Sequence, residues 1–361
     1  MNILIDINHP AHVHLLRNAY KILVEHGHNI IVTVKEIPSA MELLDLYGIP
    51  YINIGKKDDA LGRKGFNQIA YDSRILRIVY QNHIDIGIGT SINIPHVSKL
   101  SRMKSVILVD DDDEAEPLFV KFAHPFADVI LTPSAFSRKT KKAVYVDTFH
   151  ELAYLHPHRF TPDETVLQDV GLEKGEPYFV LRFNAFKAYH DSGKMGLTME
   201  NQHRLVEYLK SKGKVFITTE RGIDDELKPY QLQLSPEKTH SLLYYATMFV
   251  GDSQTMTSEA AVLGTPSIKC NSFSGRLSVP NELERKYGLC YAFLPSQSEA
   301  FFRKINELLS MPNLREEWRN RRSRMLADKI DYTGFLVWYV ENLPNSNLVL
   351  AENHDFQYGF R

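Results

Sequence analysis

A chain of 361 residues exceeds one ordinary hydrophobic core, and two domains are the expectation. Its 43% hydrophobic and 24% charged content is that of a globular protein, and a formal net charge of −2 leaves no electrostatic footprint for nucleic acid. Two cysteines, Cys270 and Cys290, exclude a disulfide framework and a zinc-finger spacing, and no apolar run reaches the ~18 residues of a membrane span.

Short apolar stretches alternate with amphipathic helical patterns almost from end to end, which predicts parallel sheets covered on both faces. The first series places strands at Asn2–Ile7, Asn29–Val34, Tyr51–Ile54, Ile84–Gly89, Ser105–Val109 and Val129–Leu131. Helices are expected between them at His12–His26, Ser39–Tyr47, Gly65–Gln81 and Pro95–Arg102, the first ended by Gly27 as a C-cap. The stretch Asp147–Pro162, rich in His and Pro and without a period, reads as the interdomain connection. A second series follows, with strands at Tyr178–Leu181, Val215–Thr219, Met248–Gly251, Ser267–Cys270 and Leu289–Phe293. Helices are expected at Thr198–Ser211, His240–Ala246 and Ser258–Leu263, then at Ser298–Ser310, Leu314–Asp328 and Tyr332–Asn342. The fold expected is α/β, with two doubly wound Rossmann-like domains facing across a cleft. The boundaries expected are 1–155, 156–330 and a C-terminal segment 331–361 packing back on the first domain. The N-terminus, MNILIDINHP, lacks a basic region and a long apolar stretch, so a cytoplasmic protein without a signal peptide is expected.

Ligands in doubly wound sheets bind beyond the carboxyl ends of the strands, so the residues just after each strand carry the chemistry. The richest is FVGDSQTMTSEAAVLGTPSIK, Phe249–Lys269. It reads as a strand to Gly251, a polar turn Asp252-Ser253-Gln254-Thr255, a helix entered near Thr257, and a second strand. Hydroxyl residues at a helix N-terminus offer N–H groups and a positive dipole end to a diphosphate. Glu259, one turn inside, can accept ribose hydroxyls. Arg182 ends its strand where a bidentate phosphate clamp would stand, and Arg221 is a weaker candidate of the same kind.

The first-domain loop Asn8-His9-Pro10-Ala11-His12 contains no glycine, which excludes the G-x-G-x-x-G of NAD and FAD domains and any such cofactor. An imidazole at such a strand end, His12 above all, suits a general base. A metal site on His9, His12 and His14 lacks a clear carboxylate partner, and no metal is expected. The run Asp110–Glu114 after the fifth strand reads either as a solvated acidic loop or as the source of one cleft carboxylate, Asp111 or Asp112. Asn271–Arg276 reads as a flexible polar loop, and the arginines of 315–324 as a solvated helix face.

Ser258-Glu259-x4-Gly264-x-Pro266 resembles the nucleotide-binding segment of the peptidoglycan N-acetylglucosaminyltransferase, and Asp252-Ser253-x4-Ser258-Glu259 that of the UDP-N-acetylglucosamine 2-epimerases. Both belong to the GT-B superfamily. Taken whole, through IDINHPAHVHLLR, AHPFADVILTPS, ELAYLHPHRFTPD and HSLLYYA, the chain is similar to the GT-B-like domain-of-unknown-function family 354. The resemblance implies Ser253, Gln254 and Thr255 at a diphosphate, Glu259 at the ribose, and His12, His9 and Thr90 lining the first-domain cleft. Thr90 stands where the epimerases carry an acid/base Asp, which counts against epimerase chemistry, and Gln254-Thr255 replaces their Gly-Gly. The function implied is a metal-independent glycosyltransferase using a nucleotide sugar, with a glycan or lipid-linked acceptor that brings it to the inner membrane face. An epimerase or nucleotide-sugar hydrolase is the alternative from the same resemblance, and a binding module without catalysis a third class.

Overall fold

The computed structural model describes residues 1–56, 64–109, 111–136, 142–183, 196–219 and 223–361, the side chains of 64–66 excepted. Seven strands form the first sheet: β1 (Asn2–Ile7), β2 (Asn29–Glu36), β3 (Ile52–Lys56), β4 (Ile86–Gly89), β5 (Lys104–Leu108), β6 (Val129–Pro133) and β7 (Ala143–Val146). They run parallel in the order β3-β2-β1-β4-β5-β6-β7. Five more form the second: β8 (Tyr178–Arg182), β9 (Lys214–Thr218), β10 (Met248–Gly251), β11 (Ser267–Cys270) and β12 (Cys290–Phe293). These run parallel in the order β12-β11-β10-β8-β9. The central strands are nearly continuous apolar runs because both faces are covered: Ile3, Leu4 and Ile5 are buried in β1, and Met248, Phe249 and Val250 in β10.

The chain divides into two compact units, Met1–Arg159 with Lys329–Arg361, and Phe160–Asp328. The connection read at Asp147–Pro162 is largely interior to the first unit. Phe149, Leu152, Ala153 and Leu155 are buried, and the chain leaves that unit only after Arg159. The Arg159 Nε donates to Asp331 Oδ2 at 2.7 Å, and Ile330 N to the Asp147 carbonyl at 3.0 Å, fastening the outgoing segment to the returning one. The returning helix Tyr332–Glu341 is clamped by His26 and His28, whose ring nitrogens lie 2.7 and 2.9 Å from Glu341 Oε1. The last residues, which carry no sequence signal, are ordered. Asn345–Glu352 is helical, His354–Phe360 is a 3-10 turn, and Phe356 and Phe360 pack on Trp338. No helix among the described residues is long and apolar enough to cross a membrane.

In each sheet the strand order reverses once, between β1 and β4 in the first and between β8 and β10 in the second. Such a reversal opens a crevice beyond the strand carboxyl ends, because the connections on either side go to opposite faces. A glycine sits at each. A Cβ on Gly89 would lie 2.8 Å from the Asp6 carbonyl oxygen, and one on Gly251 only 2.3 Å from that of Arg182.

Candidate functional site

At the first reversal, β1 ends at Ile7 and His9 caps the helix Pro10–Glu25, its Nδ1 accepting from Ala11 N at 3.2 Å. Pro10 occupies the first helical position, where its missing N–H costs nothing. That entry turns His12 inward, to 6% exposure, while His9 stays exposed. The Thr90 hydroxyl, just past β4, lies 2.8 Å from His12 Nδ1 and 2.9 Å from Nε2, and Asn8 N donates to Nδ1 at 3.3 Å. A neutral ring accepting there carries its proton on Nε2. Its lone pair on Nδ1 already faces Asn8 N, and the Thr90 hydroxyl lies beside both ring nitrogens.

Beneath them lies Asp6, a residue the sequence reading passed over. It is fully buried in β1 and accepts from Thr33 Oγ1 at 2.6 Å. Burial pushes its carboxyl above the ordinary value; the Ser91 and Thr33 hydroxyls and the charges of Lys35 and His12 oppose this without cancelling it. The signal was in the sequence: a lone carboxylate inside the apolar run ILIDI needs a reason to be there. Asp111 follows β5, half-buried, its Oδ1 accepting from Asp112 N at 2.8 Å. Asp110 lies outside the described residues.

At the second reversal, Arg182 closes β8 in register with Gly251, and Asp252 N donates to the Arg182 carbonyl at 3.1 Å. The helix there spans Gln254–Leu263, so it starts three residues before the expected entry at Thr257. Ser253 is its N-cap, Oγ accepting from Met256 N at 3.4 Å, and Thr257 Oγ1 bonds back to the Ser253 carbonyl at 2.6 Å. Gly264, at φ 79°, ends it in the left-handed conformation. The arginine cluster read as a solvated face is partly structural: Arg322 Nε donates to the Val262 carbonyl at 2.8 Å, satisfying the helix C-terminus.

The earlier helix start changes the roles of the predicted residues. Thr255 is exposed in the first turn, whereas the Gln254 side chain accepts from the Lys269 ammonium. Lys269, on β11, is 1% exposed; desolvation raises the half-buried Glu284 carboxyl, and the Ala292 N–H and the Lys269 charge oppose this without cancelling it. A lysine inside SIKC is the same kind of signal as Asp6, and it was likewise missed. Glu259 is not open to the rim: it is buried and meets His240 Nε2 through Oε1 at 3.1 Å. Arg221 lies outside the described residues. The loop read as flexible at Asn271–Arg276 is a bonded turn, with Asn271 Nδ2 donating to the Asp252 carbonyl at 2.8 Å and Ser274 Oγ to that of Phe293 at 2.7 Å. Cys270 and Cys290 are buried, and burial pushes both thiols up to about 12, with Asp252 and Glu284 adding to the shift at Cys270 and Cys290 respectively.

Among the described residues, groups with the spacing of a metal site are His156 with His158 and Asp331, and His203 with Asp224 and Glu226. Both lie away from the two reversals. In the first, Asp331 is already bonded by Arg159 and caps Gly334 N at 3.2 Å.

The second unit thus presents a helix N-terminus, an arginine and a buried lysine at one strand reversal, a set that favours an anion. The first presents an imidazole, a hydroxyl and a buried carboxyl, a set that moves protons. Solved structures share this architecture. A Staphylococcus aureus MnaA–UDP co-structure matches with a TM-score of 0.68 at 10% identity, covering 96% of this chain and 97% of that one. A Neisseria meningitidis UDP-GlcNAc 2-epimerase bound to UDP-GlcNAc matches at 0.67 and 12%, covering 96% and 100%. The spinosyn rhamnosyltransferase SpnG matches at 0.62 and 12%, covering 95% and 100%. At these identities the likeness shows the fold, α/β of GT-B type. A curated Methanocaldococcus jannaschii protein, described as uncharacterized, is 23% identical over 288 residues, 75% of this chain and 82% of its own length. The family described as Protein of unknown function (DUF354) matches residues 1–283, which takes in both strand reversals with His12, Asp6, Arg182, Glu259 and Lys269, and the chain belongs to that family.

Proposed function

We propose that the protein is a GT-B glycosyltransferase that takes a UDP-activated sugar and transfers it to a glycan or lipid-linked acceptor, in polysaccharide biosynthesis, without a metal ion. One observation carries this reading: the reversal of the second sheet coincides with the capped N-terminus of the helix Gln254–Leu263 and with Arg182. The helix N–H groups and the Ser253 hydroxyl would hold the diphosphate. Arg182 and the field of Lys269 would stabilise the charge that grows on it as the bond to the sugar breaks. Glu259, buried against His240, would meet the ribose hydroxyls through a carboxylate oxygen turned toward the rim, which Thr255 would complete.

The chemical step balances with the groups of the first unit. The acceptor oxygen bonds to the anomeric carbon, the bond from that carbon to the diphosphate oxygen breaks, and UDP leaves with the electron pair. The acceptor proton passes to His12, with Thr90 giving up its place at the imidazole. Asp111 would bind a further acceptor hydroxyl, and His9 would border that site.

A second reading, an epimerase or nucleotide-sugar hydrolase, is favoured by Asp6, which gives the first unit a second proton-active group beside His12. Against it stands Thr90, a hydroxyl that cannot act as the carboxylate that chemistry uses. The test is a screen of nucleotide sugars by thermal shift, since a ligand at 100 times its Kd stabilises the native state by about 2.7 kcal/mol. The best binder is then followed by mass spectrometry with and without acceptor pools. A product formed only with acceptor supports the transferase, and UDP with free or epimerised sugar in its absence supports the second reading. If no nucleotide or nucleotide sugar raises the melting temperature, both fail.

A further inference from the structure

The helix Met199–Lys210 comes just before β9 in the chain and the 3-10 turn Asp225–Tyr230 just after it, and three side chains of metal-ligand type converge there: His203, Asp224 and Glu226. Each offers one ligand atom, and the three atoms lie within 4.8 Å of one another. Asp224 Oδ1 is 3.3 Å from His203 Nε2, and Glu226 Oε2 is 3.6 Å from Nδ1. Neither approach has the geometry of a hydrogen bond, unlike His26 and His28 on Glu341, which close to 2.7 and 2.9 Å. A shared proton therefore does not account for the cluster. Nor does a cation of the chain: among the described residues, Lys228 is taken by Asp225 and Arg204 by Glu299, each at 2.5 Å. Asp224 is held in place, because its Oδ1 caps the turn by accepting from Glu226 N at 3.1 Å. The group of His156, His158 and Asp331 differs in kind, since there the Arg159 guanidinium already neutralises the carboxylate.

We propose that His203, Asp224 and Glu226 form a structural site for a zinc ion, which ties the turn after β9 to the helix before it. Zinc held at about 2.1 Å by an imidazole nitrogen and two carboxylate oxygens sets its ligands about 3.4 Å apart in a tetrahedron, so small rotations of these side chains bring them onto one ion. The donor set selects the metal. An imidazole nitrogen favours zinc over calcium and magnesium, which take oxygen ligands, and two carboxylates balance the charge of the ion. The site lies away from both strand reversals, so no step of the reaction proposed above passes through it, and it does not depend on the nucleotide reading.

The test is calorimetric titration of zinc chloride, and separately of calcium chloride, into the full chain and into His203→Ala, Asp224→Asn, Glu226→Gln and His156→Ala, each first stripped of metal with a chelator. The wild type is expected to take up one zinc ion per chain at micromolar concentration or below and to ignore calcium. His203→Ala should weaken zinc by more than about 100-fold, since losing a ligand costs more than losing its outer-shell partner. Asp224→Asn should weaken it by about tenfold or more. That variant keeps an amide oxygen to cap the turn, so its loss of zinc is not a loss of fold. Glu226→Gln should cost about tenfold, and His156→Ala should leave the affinity unchanged. Hydrogen exchange gives the structural readout: zinc should slow the amides of residues 224–230 in the wild type and not in Asp224→Asn. Uptake only at millimolar zinc, or equal uptake of calcium, overturns the proposal. An affinity that survives His203→Ala, or is lost in His156→Ala, overturns it by placing the ion elsewhere. Binding that leaves exchange at 224–230 as it was also overturns it, because the ion then ties nothing.

Discussion

The two strand reversals share a backbone and differ in chemistry. Each brings a glycine at the end of one strand against the carbonyl of its neighbour, Gly89 against Asp6 and Gly251 against Arg182. Each is followed by a helix or a loop carrying polar side chains, and each has one ionisable residue buried in a strand where apolar residues are the rule. In the first unit that residue is an acid, Asp6; in the second it is a base, Lys269. The acid sits with an imidazole and the two hydroxyls of Ser91 and Thr33, and burial raises its carboxyl so that it keeps its proton to higher pH. The base sits under the positive end of a helix, where its charge adds to the dipole instead of opposing it. On the function proposed above, one scaffold would handle a proton in one place and hold an anion in the other, and the buried group, an acid or a base, tells the two places apart.

The largest effect is expected where the shared backbone is broken. Gly251→Ala forces a methyl to within 2.3 Å of a strand carbonyl that cannot move alone, whereas Gly89→Ala meets its carbonyl at 2.8 Å. Overpacking of this kind costs roughly 1–3 kcal/mol or more. Gly251→Ala should cost about 3 kcal/mol and Gly89→Ala distinctly less, as read from urea denaturation monitored by circular dichroism. Equal costs would mean that the two close approaches are not equivalent devices under different strain.

Next comes the buried base. Lys269→Met removes the charge without leaving a void, and should weaken UDP by about tenfold or more while leaving uridine binding within about twofold, because only the diphosphate feels the lost field. Stability should fall by about 1–3 kcal/mol, since Gln254 loses its donor and Glu284 its compensating cation. Equal losses for UDP and uridine would show that Lys269 shapes the pocket and does not hold the anion.

Lys269 and Asp6 also mark where the sequence stopped being legible. The alternation of strands and helices was readable almost throughout, because a strand buried on both faces and an amphipathic helix leave different periods. β1, β10 and β11 fall on the residues expected, while β7 and the helix Asn345–Glu352 were missed, being short and weakly patterned. The residues just after each strand supplied Arg182 and the Ser253 turn with Glu259, and the family resemblance added the roles of Ser253 and Glu259. It could not supply a residue absent from the motifs it was read from. Nor does sequence spacing tell that the Gln254 side chain turns back onto Lys269, or that Glu259 is met by a histidine 19 residues away. Those depend on which strands are neighbours, and strand order is the one thing an alternating pattern does not encode. An ionisable residue inside an apolar strand was the available clue in both units.

The buried acid predicts a pH dependence whose sign is fixed. An Asp with its folded pKa raised stays protonated in the native state after the unfolded chain has given up its proton. Stability is therefore full below about pH 4 and declines as pH rises through the folded value. Asp6→Asn keeps an acceptor for Thr33 and does not titrate. The difference in unfolding free energy, variant minus wild type, should grow in the variant's favour from about pH 4 upward, as measured by urea titrations at pH 4.5, 6 and 7.5. A difference that is flat, or that shrinks with pH, would show that the native state holds Asp6 as a carboxylate, and the contrast of acid and base between the units would lose its proton-handling half.

The smallest effect tests whether the two helix entries differ as the strands do. His9 and Ser253 are both N-caps, one accepting from Ala11 N at 3.2 Å and the other from Met256 N at 3.4 Å. Ser253→Ala should cost about 1 kcal/mol of stability, the usual worth of a serine cap, and His9→Ala less, because imidazole is not among the favoured cap residues and Pro10 already sets the helix entry. Only the serine has a second use. Its hydroxyl accepts from the helix and still has a proton to donate, so Ser253→Ala should also weaken UDP by a few-fold to about tenfold, the worth of one hydrogen bond to a charged oxygen. Ser253→Thr, which keeps both functions, should restore stability and affinity together. If Ser253→Ala lowers the melting temperature and leaves UDP affinity unchanged, the residue is a cap alone. The anion site would then rest on the helix N–H groups, Arg182 and Lys269.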